Sequence, residues 1–224
     1  NKNIKFDNKK FNAKTAAIIG FSSFAKSTHY LINENDEIDY EILQDFLDKF
    51  SNKKFLIFGF TYDVHNFLIN KLKKDNINFE NGILLHGGGW KKLEADKISN
   101  ENFKKKLNDK CNLKKIINYY GLIEQVGSIF FECPNCNVFI CSDYSDILIR
   151  DKNLNVKKKG KGFVQIGLVQ LLSLLPTSYP GHNILTEDIG EIVGENVCRC
   201  GIKGKNFRIY GRLKEAELRG CSDV

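Results

Sequence analysis

Methionine is absent from this chain, and its 224 residues include only three prolines and one tryptophan. Without an initiator, the chain is expected to be an excised piece of a longer protein. Long apolar runs are missing as well. The charge-free stretch from Phe163 to Thr186 is interrupted by Gln165, Gly167, Gln170, Ser173 and Pro176, which leaves it far short of the ~20 residues that a membrane span requires. The first twenty residues mix Lys and Asp with polar residues and lack a basic start followed by an apolar stretch and a small-residue cleavage site. A transmembrane helix and a secretory signal are thereby excluded from the reading, and a cytoplasmic location is expected. Wholesale disorder is excluded too, because 42% hydrophobic and 12% aromatic content is enough to bury a sizeable core.

The net charge of +7 is concentrated. Lys91 to Lys115 holds nine Lys against four acids, and Arg150 to Lys161 holds six bases against Asp151 alone. Neither patch interleaves its bases with aromatics, so both read as solvated surface able to attract a polyanion such as ATP, and nucleic acid is not the expected partner. Seven cysteines are an odd number for a disulfide framework. Their clustering points to metal or thiol chemistry.

Hydrophobic periodicity divides the chain. Ile38, Ile42, Leu43, Phe46, Leu47 and Phe50 fall on one helical face and predict a helix over 38–50, followed by a buried strand over Phe55–Phe60. A second helix carries Val64, Phe67, Leu68 and Leu72, and a short strand over Gly82–His86 runs into three glycines. Ser99 suits the N-cap of a third helix bearing Phe103, Leu107 and Cys111, with a strand over Lys115–Tyr119 after it. After Glu124 the chain turns β-rich, with extended segments over 126–132, 147–150, 163–173 and 206–210, and a surface turn over 157–162. The expected fold class is α/β: a mainly parallel sheet with flanking helices, then a β-rich part. Residues 1–125 form the expected α/β core and 126–224 its β-rich continuation.

Chemistry is carried by a few clusters. Cys133-Pro-Asn-Cys136 and Cys198-Arg-Cys200 are two close pairs of the kind that grip a tetrahedral zinc ion. The 61 residues between them mean that such a site would tie distant segments together. Cys141, next to Phe139 and Ile140, reads as a core cysteine. Gly87, Gly88 and Gly89 end an apolar strand, where nucleotides commonly bind in α/β sheets, although a plain turn has the same composition. Tyr120, Gly121 and Glu124 end the next strand and could stack a base, admit a phosphate and hold Mg2+. On spacing alone, a strand end with a solvated glutamate is the favoured reading.

Read together, His86-Gly-Gly-Gly-Trp-Lys91, Tyr120-Gly-Leu-Ile-Glu124, the 178–188 segment Ser-Tyr-Pro-Gly-His-Asn-Ile-Leu-Thr-Glu-Asp and the 211–221 segment Gly-Arg-Leu-Lys-Glu-Ala-Glu-Leu-Arg-Gly-Cys resemble the LuxE-type acyl-protein synthetases. These belong with the phenylacetate-CoA ligase-like branch of adenylate-forming enzymes, and the resemblance covers about 55–224. It implies part of the large domain of those enzymes, with Tyr120, Gly121 and Glu124 matching a Tyr-Gly-x-Thr-Glu motif in which Ile123 replaces the Thr. It further implies that Asp188 holds the ribose of ATP, that Arg212 belongs to the hinge element with Lys214 at the hinge position, and that Cys221 is the acyl-accepting thiol. The family's phosphate loop has no match here, so the chain alone is expected to be inactive.

The function implied is ATP- and Mg2+-dependent activation of a carboxylic acid, a fatty acid foremost, and transfer to a protein thiol, with an acyl-donating or acyl-accepting protein as a further partner. Two other readings stand beside it. One is a phenylacetate-type acyl-CoA ligase, in which Cys221 is incidental; the other is a zinc-containing module that binds nucleic acid.

Overall fold

The computed structural model describes residues 13–73, 77–90, 97–122, 125, 128–157 and 166–213. They fall into two compact units, divided between Ile116 and Ile117. Among them, no helix is long and apolar enough to cross a membrane.

In the first unit, helix α1 (Ala13–Ser22) precedes α2 (Tyr40–Phe50). The sequence places the start of α2 at Ile38, but the helix begins at Tyr40 because Asp39 is extended and its carboxylate accepts the Ile42 N–H at 3.0 Å. Ile38 instead makes an antiparallel bridge with Ile32. Strand β1 (Phe55–Phe60) leads directly into α3 (Thr61–Val64), which continues as a π-helical stretch over His65–Lys71. Strand β2 (Gly82–Gly87) pairs with β1 in parallel, from Phe55 opposite Gly82 to Phe60 opposite Gly87. Helix α4 (Asn100–Cys111) has the expected cap, with Ser99 accepting the Asn102 N–H, and it ends at Asn112 in the left-handed conformation. Its buried face of Phe103, Leu107 and Cys111 packs with Val64, Phe67, Leu68, Leu72 and Leu84 in one apolar core.

Strand β3 (Lys115–Gly121) carries the chain into the second unit, which is built from β4 (Ile129–Cys133), β5 (Val138–Ile140), β6 (Ser145–Arg150), β7 (Ile166–Ser173), β8 (Asn183–Glu195) and β9 (Lys205–Arg212). The strands lie in the order β3-β4-β5-β9-β8-β7-β6, all pairings antiparallel. The β-rich character expected after Glu124 is therefore observed, and the fold class is mixed α/β. Strand β4 begins at Ile129, with 126–127 outside the described residues, and 158–165 lie outside them as well. The long β8 was hidden because its sequence carries two glycines and four acids in thirteen residues, a composition that strand propensity disfavours.

Phe130, Phe139, Ile147, Ile149, Val169, Leu171 and Phe207 form the second core, with Cys141 in it as expected. Two glycines that face each other across β7 and β8, Gly167 and Gly190, sit against neighbouring carbonyls. A Cβ at Gly167 would lie 2.2 Å from the Arg150 oxygen, and one at Gly190 2.5 Å from that of Arg208.

Leu107 is fully buried under α4. Leu107→Ala should therefore destabilise the chain by about 2–5 kcal/mol through lost transfer energy and a residual cavity, whereas Ser99→Ala should cost about 1 kcal/mol. Urea unfolding of the two variants checks both magnitudes and their order.

Candidate active site and cysteine cluster

The glycine turn begins where β2 ends. Thr61, the first residue of α3, places its hydroxyl 3.1 Å from the Gly87 carbonyl oxygen and 3.0 Å from His86 Nδ1. A hydroxyl has one proton, and a carbonyl oxygen only accepts, so Thr61 donates to Gly87 and accepts from His86. His86 is thus fixed as the Nδ1–H tautomer. Its Nε2 is buried without a hydrogen-bond partner among the described residues, and its ring lies 4.9 Å from that of Phe103. Gly88 follows with φ +78°, a conformation that L side chains rarely adopt, and is exposed beside Gly89. Sequence reasoning singled out the glycines but missed Thr61, which belongs to no motif and is placed only by the pairing of β1 with β2.

In the second unit, three of the expected residues converge. Tyr120 donates its hydroxyl to Asp188 Oδ2 at 2.7 Å, and Arg212 Nε lies 3.9 Å from Asp188 Oδ1. Arg212 also lies 3.5 Å from Glu187 Oε2. Asp188 and Arg212 are directly opposed in the β8–β9 pairing, so one register sets their approach. Thr186 fixes the main chain at Asp188 by accepting its N–H at 3.1 Å while donating to the Val169 carbonyl at 2.7 Å. The Tyr120 ring packs beside Phe130, Phe139 and Phe207. Burial, and then the adjacent Asp188 carboxylate, push the Tyr120 hydroxyl well above its ordinary range, so it remains a donor.

Gly121 lies at the end of β3, where a Cβ would meet the Ser128 oxygen at 3.0 Å. Gln125 is a buried residue that the sequence did not mark. Its amide donates to the carbonyls of Leu171 at 3.3 Å and Gly181 at 3.0 Å, so the connection after Gly121 is fastened to β7. Ile123, Glu124, Lys214 and Cys221 lie outside the described residues.

The two cysteine pairs come together as the spacing suggested. The sulfurs of Cys133, Cys136, Cys198 and Cys200 all lie within 4.8 Å of one another, with Cys133–Cys200 and Cys136–Cys198 each at 3.5 Å. These distances are far longer than a disulfide bond of about 2.05 Å. They are close to the ~3.8 Å edge that four sulfurs make around a tetrahedral ion with ~2.3 Å bonds. Tight turns present the thiols: Asn137 and Cys136 donate backbone N–H groups to the Cys133 carbonyl, and Gly201 donates to that of Cys198. Burial raises the Cys133 thiol, but backbone N–H groups of Asn135 and Cys136 and the thiols of Cys198 and Cys200 outweigh it and bring it down to about 7. At Cys198 the Cys200 N–H favours the thiolate, yet desolvation and the neighbouring sulfurs prevail and push it up to about 11. Stacked sulfurs of this kind resist collective ionisation unless a cation neutralises them. The donor set therefore fits a thiophilic metal. Asn135, which sequence reasoning passed over as a spacer, donates its side-chain amide to Cys200 Sγ at 3.2 Å.

A family model described as acyl-protein synthetase, LuxE, matches residues 3–224. The chain belongs to the LuxE acyl-protein synthetase family. A long-chain-fatty-acid–luciferin-component ligase of Aliivibrio fischeri is 29% identical over 196 residues, which make up 84% of this chain and 50% of the ligase. The chain thus spans about half the length of this curated relative. Among solved structures, the N-terminal domain of FACL13 from Mycobacterium tuberculosis is similar with a TM-score of 0.55 at 15% identity, over 88% of this chain and 47% of that one. The amide bond synthetase McbA from Marinactinospora thermotolerans is similar with a TM-score of 0.52 at 12% identity, over 80% and 35%. Likeness at such identities establishes the fold alone. Neither the CoA-ligase reading nor the nucleic-acid-binding reading is favoured by this family membership.

His86 also has a consequence for pH. Burial, with a smaller contribution from the Lys104 charge, holds its imidazole down to about 3 from an ordinary 6.5. Between those values the unfolded chain binds a proton that the folded chain does not. The stability that neutral His86 permits is complete above about pH 6.5 and is lost as pH falls through the window. His86→Asn should flatten this part of the acid dependence, measured as the difference in unfolding free energy between about pH 7.5 and about pH 4.5.

Proposed function

We propose that the chain is part of an enzyme that activates a carboxylic acid with ATP and Mg2+ and passes the acyl group to a protein thiol. The observation that carries this reading is the convergence of Tyr120, Asp188 and Arg212 in a chain of the LuxE family. The name of the Aliivibrio fischeri relative favours a long-chain fatty acid as the substrate.

A carboxylate resists acyl transfer because oxide is a very poor leaving group. In the proposed reaction a carboxylate oxygen attacks the α-phosphorus of ATP, the bond to pyrophosphate breaks, and the acid becomes an acyl-adenylate. A thiolate then attacks the acyl carbon, and AMP leaves with the electrons of the C–O bond. Asp188, held by Tyr120 and by the Thr186 hydroxyl, is the residue for the ribose hydroxyls. Gly88 and Gly89, both exposed, admit the nucleotide close to the backbone. Arg212 and Lys214 contribute positive charge near the hinge element. Mg2+, with Glu124 as its ligand, supplies charge neutralisation on the phosphates, which is electrostatic rather than acid–base catalysis. Zn2+ at the four cysteines is a structural ion in this scheme. In this scheme residues 1–125 are the α/β core of the enzyme and 126–224 its β-rich continuation.

Glu124→Gln in the full-length protein should lower ATP–pyrophosphate exchange at least ~100-fold, a barrier increase of about 2.7 kcal/mol, with little change in unfolding midpoint. An unchanged exchange rate would remove Glu124 from the site.

Acyl transfer is read separately. Incubation of full-length protein with ATP, Mg2+ and a labelled fatty acid should leave a hydroxylamine-labile label on Cys221 that is absent from Cys221→Ser, while exchange persists in the variant. The buried Cys111 and Cys141, whose thiols burial pushes up to about 11 and about 12, should stay unlabelled. Transfer only to added CoA would favour the CoA-ligase chemistry instead.

A further inference from the structure

The sheet of the second unit has a weak join. Strands β8 and β9 are matched through seven residue pairs, β6 and β7 through six, and β3–β4 and β4–β5 through three each, but β5 meets β9 through only two, Phe139 with Phe207 and Ile140 with Asn206. That join divides the sheet into β3-β4-β5 on one side and β9-β8-β7-β6 on the other. Tyr120 belongs to the first group, and Asp188 and Arg212 belong to the second, so the 2.7 Å hydrogen bond from Tyr120 to Asp188 crosses it. The cysteine cluster crosses it as well. Cys133 and Cys136 come from β4 and the β4–β5 turn, while Cys198 and Cys200 come from the β8–β9 connection, two ligands from each side.

We propose that Cys133, Cys136, Cys198 and Cys200 bind one zinc ion that staples the two strand groups across the β5–β9 join and thereby keeps Tyr120 against Asp188. Four thiolates converging within 4.8 Å satisfy a closed tetrahedral site and leave no open position, which marks the ion as structural rather than catalytic. Each pair sits on its own turn, so neither group of strands completes the site by itself. The Asn135 amide on Cys200 Sγ supports the exposed ligand from the same side as Cys133, again across the join. Hydrogen bonds also act at the base of the β8–β9 connection, where the Val197 N–H donates to Asn206 Oδ1 and the Gly204 N–H to Asn196 Oδ1. Those bonds close the connection upon itself. The ties from β9 and its connection to the other side are the two residue pairs, the Cys141 N–H on the Lys205 carbonyl at 2.9 Å, the Asn135 amide on Cys200 and apolar packing, to which the ion adds four bonds.

The nucleotide consequence rests on the function proposed above, whereas the staple itself does not. The test uses full-length protein, with metal analysis first and amide hydrogen exchange in zinc-loaded and chelated samples second. About one zinc per chain is expected. On chelation, exchange should accelerate at Cys141 and at the β5 and β9 amides, while β6 and β7 keep their protection. Zinc-free protein with a protected β5–β9 join would overturn the proposal. So would acceleration confined to the turn amides of Cys136, Asn137 and Gly201, or an equal loss of protection in β6 and β7. Asn135→Ala provides a variant that keeps all four ligands. Zinc affinity should fall about 10- to 100-fold, and at zinc levels that saturate only the parent protein the same join should open. An unchanged affinity would reject the Asn135 contribution and, with an unaltered join on chelation, the staple as well. ATP affinity is read in parallel. An affinity that is indifferent to zinc removal would refute the link to Tyr120 and Asp188, whereas failure of the zinc-loaded protein to bind ATP at all would count against the proposed function and leave the exchange result standing.

Discussion

In the second unit, the approach of Tyr120 to Asp188 depends on how β5 meets β9. Two residue pairs are few for a join between strand groups, because opposed residues in an antiparallel ladder exchange either two hydrogen bonds or none and add a modest side-chain term. Aromatic packing adds to it, with Phe139 and Phe130 on one side and Phe207 on the other at 5.5 and 5.1 Å between ring centres. The apolar surface involved is non-directional, whereas the Tyr120–Asp188 bond is directional and short. A slip of one residue at this join would turn every side chain of β9 to the opposite face. The positions of Asp188 and Arg212 relative to Tyr120 are consequently set by this narrow junction together with the Gln125 amide, which fastens the end of β3 to β7.

The first unit solves a different problem. Its two parallel strands lie under a core dominated by Leu, Phe and Ile, and the glycine turn emerges at their carboxyl end. Thr61 uses a single hydroxyl to hold both the last carbonyl of β2 and a histidine tautomer. A residue at the start of a helix thereby fixes the exit of a neighbouring strand. His86 remains neutral across the physiological range because protonation would place a charge in the core against Phe103.

The sequence made local periodicity visible and concealed long-range pairing. Helix α4, with its Ser99 cap and the Phe103, Leu107 and Cys111 face, was legible because capping and a 3.6-residue repeat are local. Strand β1 was legible because six largely apolar residues bounded by polar ones have few alternatives. Helix α1 and strand β5 escaped notice, the first because its apolar residues form no clear stripe and the second because three residues are too few to show alternation. The cysteine cluster was legible from two close pairs, yet Asn135 was not, since a spacer residue acquires a role only when Cys200 arrives from 65 positions away. Asp188 was visible through family resemblance alone. That Tyr120 would be its hydrogen-bond partner depends on the β8–β9 register and on the β5–β9 join, neither of which a linear pattern encodes.

Gly167 and Gly190 face each other across β7 and β8 with ordinary backbone angles. The restriction at both sites comes from outside the residue, where the carbonyls of Arg150 and Arg208 occupy the space in which a Cβ would stand. A catalogue of permitted dihedral angles would therefore allow alanine at both positions, while the neighbouring main chain forbids it. Alanine at either site would push a flanking strand outward, β6 away from β7 at Gly167 and β9 away from β8 at Gly190. Strand spacing in this part of the sheet is thus set by two missing methyl groups, and an engineered library that scores each residue by its own backbone conformation would admit the substitutions that the sheet rejects.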